Sequence, residues 1–172
     1  MNNNINDIMN ESRIIFIDDV IDAKMANYVV MKLMYFDALN NDDITIYINS
    51  LGGSVADGLA IIDTMRLVKS KVNTIGYGTV ASMAAIILAS GEKRSCMKHT
   101  RCMIHQVFGG MQGTVSDVEI AYNNMLEIKD ELMNLLACKV KKSRKQVEKD
   151  CDRDYWLSAV KAKEYGLIDE VL

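Results

Sequence analysis

With 172 residues, 49% of them hydrophobic and 25% charged, the chain has the composition of a globular protein. That length suits one domain, burying about two-thirds of the surface that its unfolded chain exposes. A net charge of −3 excludes the basic field that draws nucleic acid, and no apolar run approaches the roughly 20 residues that span a bilayer. Neither nucleic acid nor a membrane is therefore expected as a partner.

In chain order, residues 1–12 are Asn-rich and read as a flexible tail before a single domain over 13–172. Ile14 to Ile17 reads as a short buried strand. Ala23 to Leu39 places Met25, Val29, Leu33 and Phe36 at helical spacing. Asn40-Asn41-Asp42-Asp43 makes a turn, and Ile44 to Ile48 is β-branched and aromatic, as strands are. After Gly52-Gly53, Asp57 to Lys69 reads as helix. Val72 to Tyr77 is a third strand, and the run from Gly78 to Ala85 carries it into a helical stretch, Ile86 to Ala89. A β-like pair follows, around Lys93 to Met97 and Cys102 to His105, and then the glycine-rich Phe108 to Gly113.

A long helix is expected from about Ser116 or Asp117 to Val140, with Ile120, Met125, Ile128, Leu132, Leu135 and Leu136 as a wide apolar stripe. At 1.5 Å per residue it outruns a small domain, so its apolar face calls for another subunit. Shorter helices over Ser143–Lys149 and Ser158–Tyr165 follow, the second stopped by Gly166. Leu167 to Leu172 reads as a last strand. Strands alternating with helices predict an α/β domain with a parallel or mixed sheet.

Four cysteines, Cys96, Cys102, Cys138 and Cys151, show neither C-x-x-C nor zinc spacing, and the first residues lack a basic start followed by an apolar segment. Reduced thiols and a cytoplasmic location are the expectation. Proline is absent, so the turns rest on Gly, Asn, Asp and Ser.

Ser82 stands at a strand-to-helix corner, where a hydroxyl faces outward beside helix-start N–H groups. That position suits a nucleophile, and equally a helix N-cap. His105 ends the apolar stretch Cys102-Met103-Ile104, at a strand terminus of the kind that gathers site residues in α/β folds. It is either a proton acceptor near neutral pH or a structural histidine. His99, among Lys98, Thr100 and Arg101, reads as surface. Of 23 carboxylates, Asp154 stands beside Tyr155-Trp156, aromatics placed to shield its charge, although Asp152-Arg153-Asp154 also reads as a charged surface turn. Gly52-Gly53 permits close approach of a ligand to the backbone, or is a plain turn.

Together these blocks resemble the proteolytic subunit of the Clp protease (ClpP). The matching blocks are Tyr47-Ile-Asn-Ser-Leu-Gly-Gly53, Ala81-Ser-Met83, Arg101-Cys-Met-Ile-His-Gln106, Asp152-Arg-Asp-Tyr-Trp-Leu-Ser-Ala159 and Glu164-Tyr-Gly-Leu-Ile-Asp169, in order over about Ser12 to Leu172. The resemblance implies a crotonase-like, ClpP-type α/β fold, a ββα superhelix with a protruding handle helix in the region of about 107–142. It puts the family's nucleophile on Ser82, its base on His105 and its orienting acid on Asp154. The oxyanion hole falls on the N–H groups of Gly53 and Met83, and substrate contacts on Ser54, Val55, Val107 and Phe108. No metal and no cofactor are needed.

The implied protein is a self-compartmentalised serine endopeptidase of two stacked seven-subunit rings, fed with polypeptide by an AAA+ ATPase. Alternatives are a subunit of mixed rings that relies on a paralogue, and an acyl-CoA hydratase or isomerase on the same fold. The chain departs from the family pattern at several points. Leu51 and Val107 stand where prolines are usual, the Ser82–His105 interval is two residues shorter, and the start is abbreviated. The apolar pocket for the ATPase keeps Tyr47, Leu67, Ile75 and Tyr77 but has polar Thr45 and Ser95.

Overall fold

The computed structural model describes residues 5–172, and side chains from Ile8 onward. Helix α1 (Ile5–Glu11) leads into β1 (Ile14–Ile17), so the expected tail is helical over most of its length. Its end is closed by the N–H groups of Ser12 and Arg13, which donate to the carbonyls of Ile8 and Asn10. Residues 1–4 of that expectation lie outside the described residues.

Helix α2 (Ala23–Leu39), capped by Asp22, returns the chain to β2 (Ile44–Ser50), parallel to β1. Side chains alternate along β2, with Ile44, Ile46 and Ile48 inward and Thr45, Tyr47 and Asn49 on the outer face. Arg13 is buried under this unit. Its guanidinium donates to the carbonyls of Phe36 and Asp42, both 2.8 Å, and to Ser70 Oγ, 3.0 Å, closing the C-terminal end of α2.

Helix α3 (Val55–Leu67) begins two residues earlier than its apolar spacing predicts, because Ser54 Oγ accepts from the Asp57 N–H and caps it. The third strand, β3 (Val72–Ala81), extends four residues past the expected end. Its first half pairs with β2 and with β4 (Arg94–Cys96), and its second half with β5 (Arg101–Ile104), all parallel. The switch of partner takes place at a bulge. Ile48 faces Gly76 while Ser50 faces Val80, and Gly78, at φ +60°, lies against the Asn49 amide. A sheet that changes partners along one strand turns a corner, and Ser82 stands at the end of that strand.

Helix α4 (Met83–Ser90) is apolar all round and buried from Met83 to Ala89, at the centre of the core. It starts three residues before the predicted stretch. Helix α5 (Val115–Val140) packs only its second half, through Leu132, Met133, Leu136 and Val140. Its first half projects, with Ile120 69% exposed. Helix α6 (Arg144–Asp150) precedes β6 (Tyr155–Ser158), an antiparallel neighbour of β5 where the sequence offered no strand. Helix α7 (Ala159–Tyr165) ends at Gly166 in the left-handed region, as expected. The last strand shrinks to β7 (Glu170–Val171), paired with β4. One sheet, β1-β2-β3-β4-β7 with β5 and β6 branching from β3, thus carries all seven strands of the described residues.

Arg94 ties the carboxyl end together. It donates to the carbonyls of Lys139 and Gly166, at the ends of α5 and α7, and pairs with Asp169. Those hydrogen bonds hold the Asp169 carboxyl below its ordinary value of 3.8. A carboxyl favoured as its anion in the folded state adds stability above that pH and loses it as pH falls through the folded value. Asp169→Asn is therefore expected to lower Tm by about 2 °C at pH 7, with the difference from the parent closing toward pH 3 in a thermal melt series.

Candidate active site

Ser82 is the hinge between β3 and α4. Its backbone lies at φ 56°, ψ −126°, a region that costs a non-glycine residue about 1–3 kcal/mol. The serine makes no side-chain cap to α4, so the N-cap alternative does not hold. Two backbone contacts fix the corner: the Ser82 N–H donates to the Met103 carbonyl on β5, 2.9 Å, and Gly52 packs beneath. A Cβ on Gly52 would lie 2.7 Å from the Ser82 Cβ and 2.8 Å from the Ala81 carbonyl oxygen, so only glycine fits.

The strained turn aims Ser82 Oγ at His105 Nε2, 2.8 Å away. On the other side of the ring, His105 Nδ1 lies 3.1 Å from Asp154 Oδ1. Strand register explains this second contact. Residues Arg101, Cys102, Met103 and Ile104 of β5 face Ser158, Leu157, Trp156 and Tyr155 of β6. The next opposed pair in that series is His105 and Asp154, side by side one step past the ladder. A carboxylate only accepts, so Nδ1 carries the proton shared with Asp154 and Nε2 is left to accept from the Ser82 hydroxyl.

The expected aromatic shield is not there. The Asp154 side chain is 61% exposed, since Tyr155 is the next residue along the strand and turns its ring away, against Tyr165. What faces Asp154 is a surface cavity shared with His105, Gln106, Phe108, Asp152 and Arg153.

A second cavity, of about 240 Å³, opens between Ser82 and His105 and is walled by Val55, Met83, Ile86, Val107 and Leu132. Phe108 and Gly53 also line it, whereas Ser54 serves as the cap of α3. Among the described residues the N–H of Gly53 has no hydrogen-bond acceptor. The bridge between Gly53 and Ile21 uses the carbonyl of Gly52 and the N–H of Ser54 instead. The N–H of Met83, first residue of α4, has no acceptor within its helix. Two unengaged donors beside a hydroxyl, an imidazole and a carboxylate are the set that acyl transfer through a serine requires.

His99 is exposed and remote from this set, as expected. The four cysteines are free thiols. Cys96 and Cys102 bury their sulfurs 3.8 Å apart, and burial pushes the Cys151 thiol up to about 12. Among the described residues, no helix is long and apolar enough to cross a membrane. The sequence reading missed Gln106, whose two hydrogen bonds to the Cys151–Asp152 backbone depend on a contact between segments 46 residues apart.

Comparison with known proteins decides the family. A model of the Clp protease family matches residues 1–172. The chain belongs to the Clp protease family. It is 47% identical over 163 residues to the ATP-dependent Clp protease proteolytic subunit of Porphyromonas gingivalis, covering 93% of this chain and 73% of that protein. It is 48% identical over 163 residues to the subunits of the same name from Bacteroides fragilis and Bacteroides thetaiotaomicron, again over 93% of this chain, with 79% and 74% of those proteins covered. The fold is accordingly the expected ClpP-type α/β fold, and this member of the Clp protease family is a peptidase.

Proposed function

We propose that the chain is a serine endopeptidase whose nucleophile is Ser82, with His105 as base and Asp154 as its orienting acid. The hydrogen-bonded series from Ser82 Oγ through the His105 ring to Asp154 carries this reading. It also favours a peptidase over the acyl-CoA hydratase alternative, which has no need of the three groups in line.

Ser82 Oγ bonds to the carbonyl carbon of the scissile peptide while His105 Nε2 takes its proton. The developing oxyanion is held by the N–H groups of Gly53 and Met83. Collapse breaks the C–N bond, and His105 returns the proton to the departing amine. Water then attacks the acyl-enzyme with the same histidine as base, releasing the acid and restoring Ser82. Asp154 keeps the ring in the required tautomer and steadies the imidazolium. The residues bring no cofactor into these steps.

An extended polypeptide fits between the Gly53–Val55 segment and the Val107–Gly109 segment, adding a strand to each. The apolar walls of the 240 Å³ cavity favour an apolar side chain before the cleaved bond. Self-compartmentalisation in paired seven-subunit rings accounts for the projecting half of α5, whose Val115, Ile120 and Tyr122 are exposed on a single chain. The relatives are named as subunits of an ATP-dependent protease. Carried to this chain, that name implies an AAA+ ATPase that delivers unfolded polypeptide. The stacked rings of Phe16 and Tyr47, 5.5 Å apart on the outer face of the sheet and edged by Tyr77, offer that partner an apolar surface. Free thiols fit work in the cytoplasm.

A fluorophosphonate probe tests the assignment directly. Treatment of the assembled protein is expected to add the probe's mass to the tryptic peptide that contains Ser82. Equal labelling of a Ser82→Ala variant would refute it.

A further inference from the structure

The β5–β6 ladder stops at Ile104 and Tyr155, one step short of the pair that matters. Beyond it, His105 directly follows β5 and Asp154 directly precedes β6, and both lie one residue outside the ladder. Among the described residues the Asp154 carboxylate has no hydrogen bond other than that to His105, and its side chain is mostly in solvent. A solvated carboxylate on an unladdered segment samples several rotamers, and each one lost from the imidazole weakens the base. The turn that leads into Asp154, residues 151–153, belongs to no strand.

Among the described residues, the hydrogen bonds that bridge this gap besides that of His105 to Asp154 come from Gln106. Its N–H donates to the carbonyl of Cys151, 2.7 Å, and its Nε2 donates to the carbonyl of Asp152, 3.0 Å. Regular antiparallel pairing would set residue 106 against residue 153, so these contacts leave the register and gather the turn inward instead. The anchor on the far side is firm. Cys151 is fully buried, and its N–H is bonded to the Val147 carbonyl at the end of α6. One residue next to the base thereby clamps the segment that carries the acid.

We infer that Gln106 is a positioning residue for the peptidase reaction, clamping the 151–154 segment so that Asp154 stays opposite His105. Its side-chain amide is engaged with the Asp152 carbonyl rather than with the reacting atoms. This inference rests on the reading of Ser82, His105 and Asp154 given above. Its side-chain contact is the part that mutation removes, since the backbone bond to Cys151 survives any substitution except proline.

A double-mutant cycle on the full assembled chain tests it, with hydrolysis of a short fluorogenic peptide as readout. Gln106→Met keeps the length of the side chain and removes its donor. The expected result is a fall in kcat of about ten- to a hundredfold with KM within about twofold of the parent. On an Asp154→Asn background the same change is expected to cost nothing further, because the clamp acts only through that carboxylate. A kcat within twofold of the parent, or losses that multiply on the Asp154→Asn background, would overturn the inference. If Gln106→Met lacks the native mass and circular dichroism of the parent, Gln106→Asn takes its place. It retains the amide but withdraws it by one methylene, and the same outcomes decide. An Asp154→Asn variant with undiminished kcat would instead refute the triad reading, and the clamp would fall with it.

Discussion

Ser82→Ala is expected to lower kcat for peptide hydrolysis by about 10³- to 10⁶-fold while leaving KM within a few-fold of the parent. The loss has a floor. The N–H groups of Gly53 and Met83, proposed for the oxyanion hole, are untouched by the change, and such donors are why removing a nucleophile does not return an enzyme to the uncatalysed rate. Steady-state kinetics on the purified variant, freed of parental protein, measures this. Hydrolysis within tenfold of the parent would exclude Ser82 as nucleophile.

The backbone at this corner adds a second, independent expectation. Serine and alanine share the strain of φ 56°, so Ser82→Ala leaves that cost in place. Glycine does not pay it. Ser82→Gly is expected to be equally inactive yet to melt about 2–4 °C above Ser82→Ala, corresponding to about 1 kcal/mol released. A strained serine at a strand-to-helix corner is thus stability exchanged for a hydroxyl aimed at His105. Differential scanning calorimetry of the two variants side by side settles the sign.

Gly53→Ala is the second change with a large effect, and it acts through the backbone alone. A Cβ on Gly53 would lie 2.2 Å from the Ile21 carbonyl oxygen and 2.8 Å from the Ile21 nitrogen. No side chain can yield to relieve that contact, so the bridge between Ile21 and Gly53 has to open. The two bonds that flank it, from the Ile21 N–H to Gly52 at 3.0 Å and from the Ser54 N–H to Ile21 at 2.8 Å, are then strained or lost. We expect a loss of about 2–3 kcal/mol in stability by urea denaturation. The N–H proposed for the oxyanion moves with the loop, so kcat is expected to fall by at least about a hundredfold. An alanine variant with parental stability would mean that the loop relaxes freely, and parental kcat would remove Gly53 from the oxyanion hole.

The regular elements follow from patterns that are local. The seventeen-residue α2 begins and ends where its spacing predicts, because Asp22 caps it and a polar turn follows. Elements whose bounds depend on distant partners do not follow. Strand β3 runs on to Ala81 because β5 arrives to pair with its second half. Strand β6 exists because β5 offers it an edge. Helix α3 starts early because a serine outside the apolar pattern caps it. Each of these errors lies within a few residues of the site, where backbone geometry departs from the regular in order to present a side chain.

The site divides in the same way. Ser82, His105, Asp154, Gly53 and Met83, the residues proposed for the site, are legible in the chain as letters of motif blocks. Letters leave a serine at a corner open to two uses, cap or nucleophile. The missing cap bond removes the first, and the positive φ and the 2.8 Å contact with His105 support the proposed second; all three come from packing against Gly52 and β5.

Asp154 shows the limit most plainly. Among 23 carboxylates only its motif block marks it, and the aromatics beside it do not shelter it. It faces His105 because antiparallel register puts residues 105 and 154 opposite each other, 49 positions apart in the chain. Local order along the chain therefore carries the helices, the strand cores, the peptidase motifs and the apolar stripe of α5. Long-range pairing decides which acid meets the histidine, that Gln106 clamps the turn between them, and which backbone N–H groups stay free, since each of those depends on segments that only the folded sheet brings within hydrogen-bond reach.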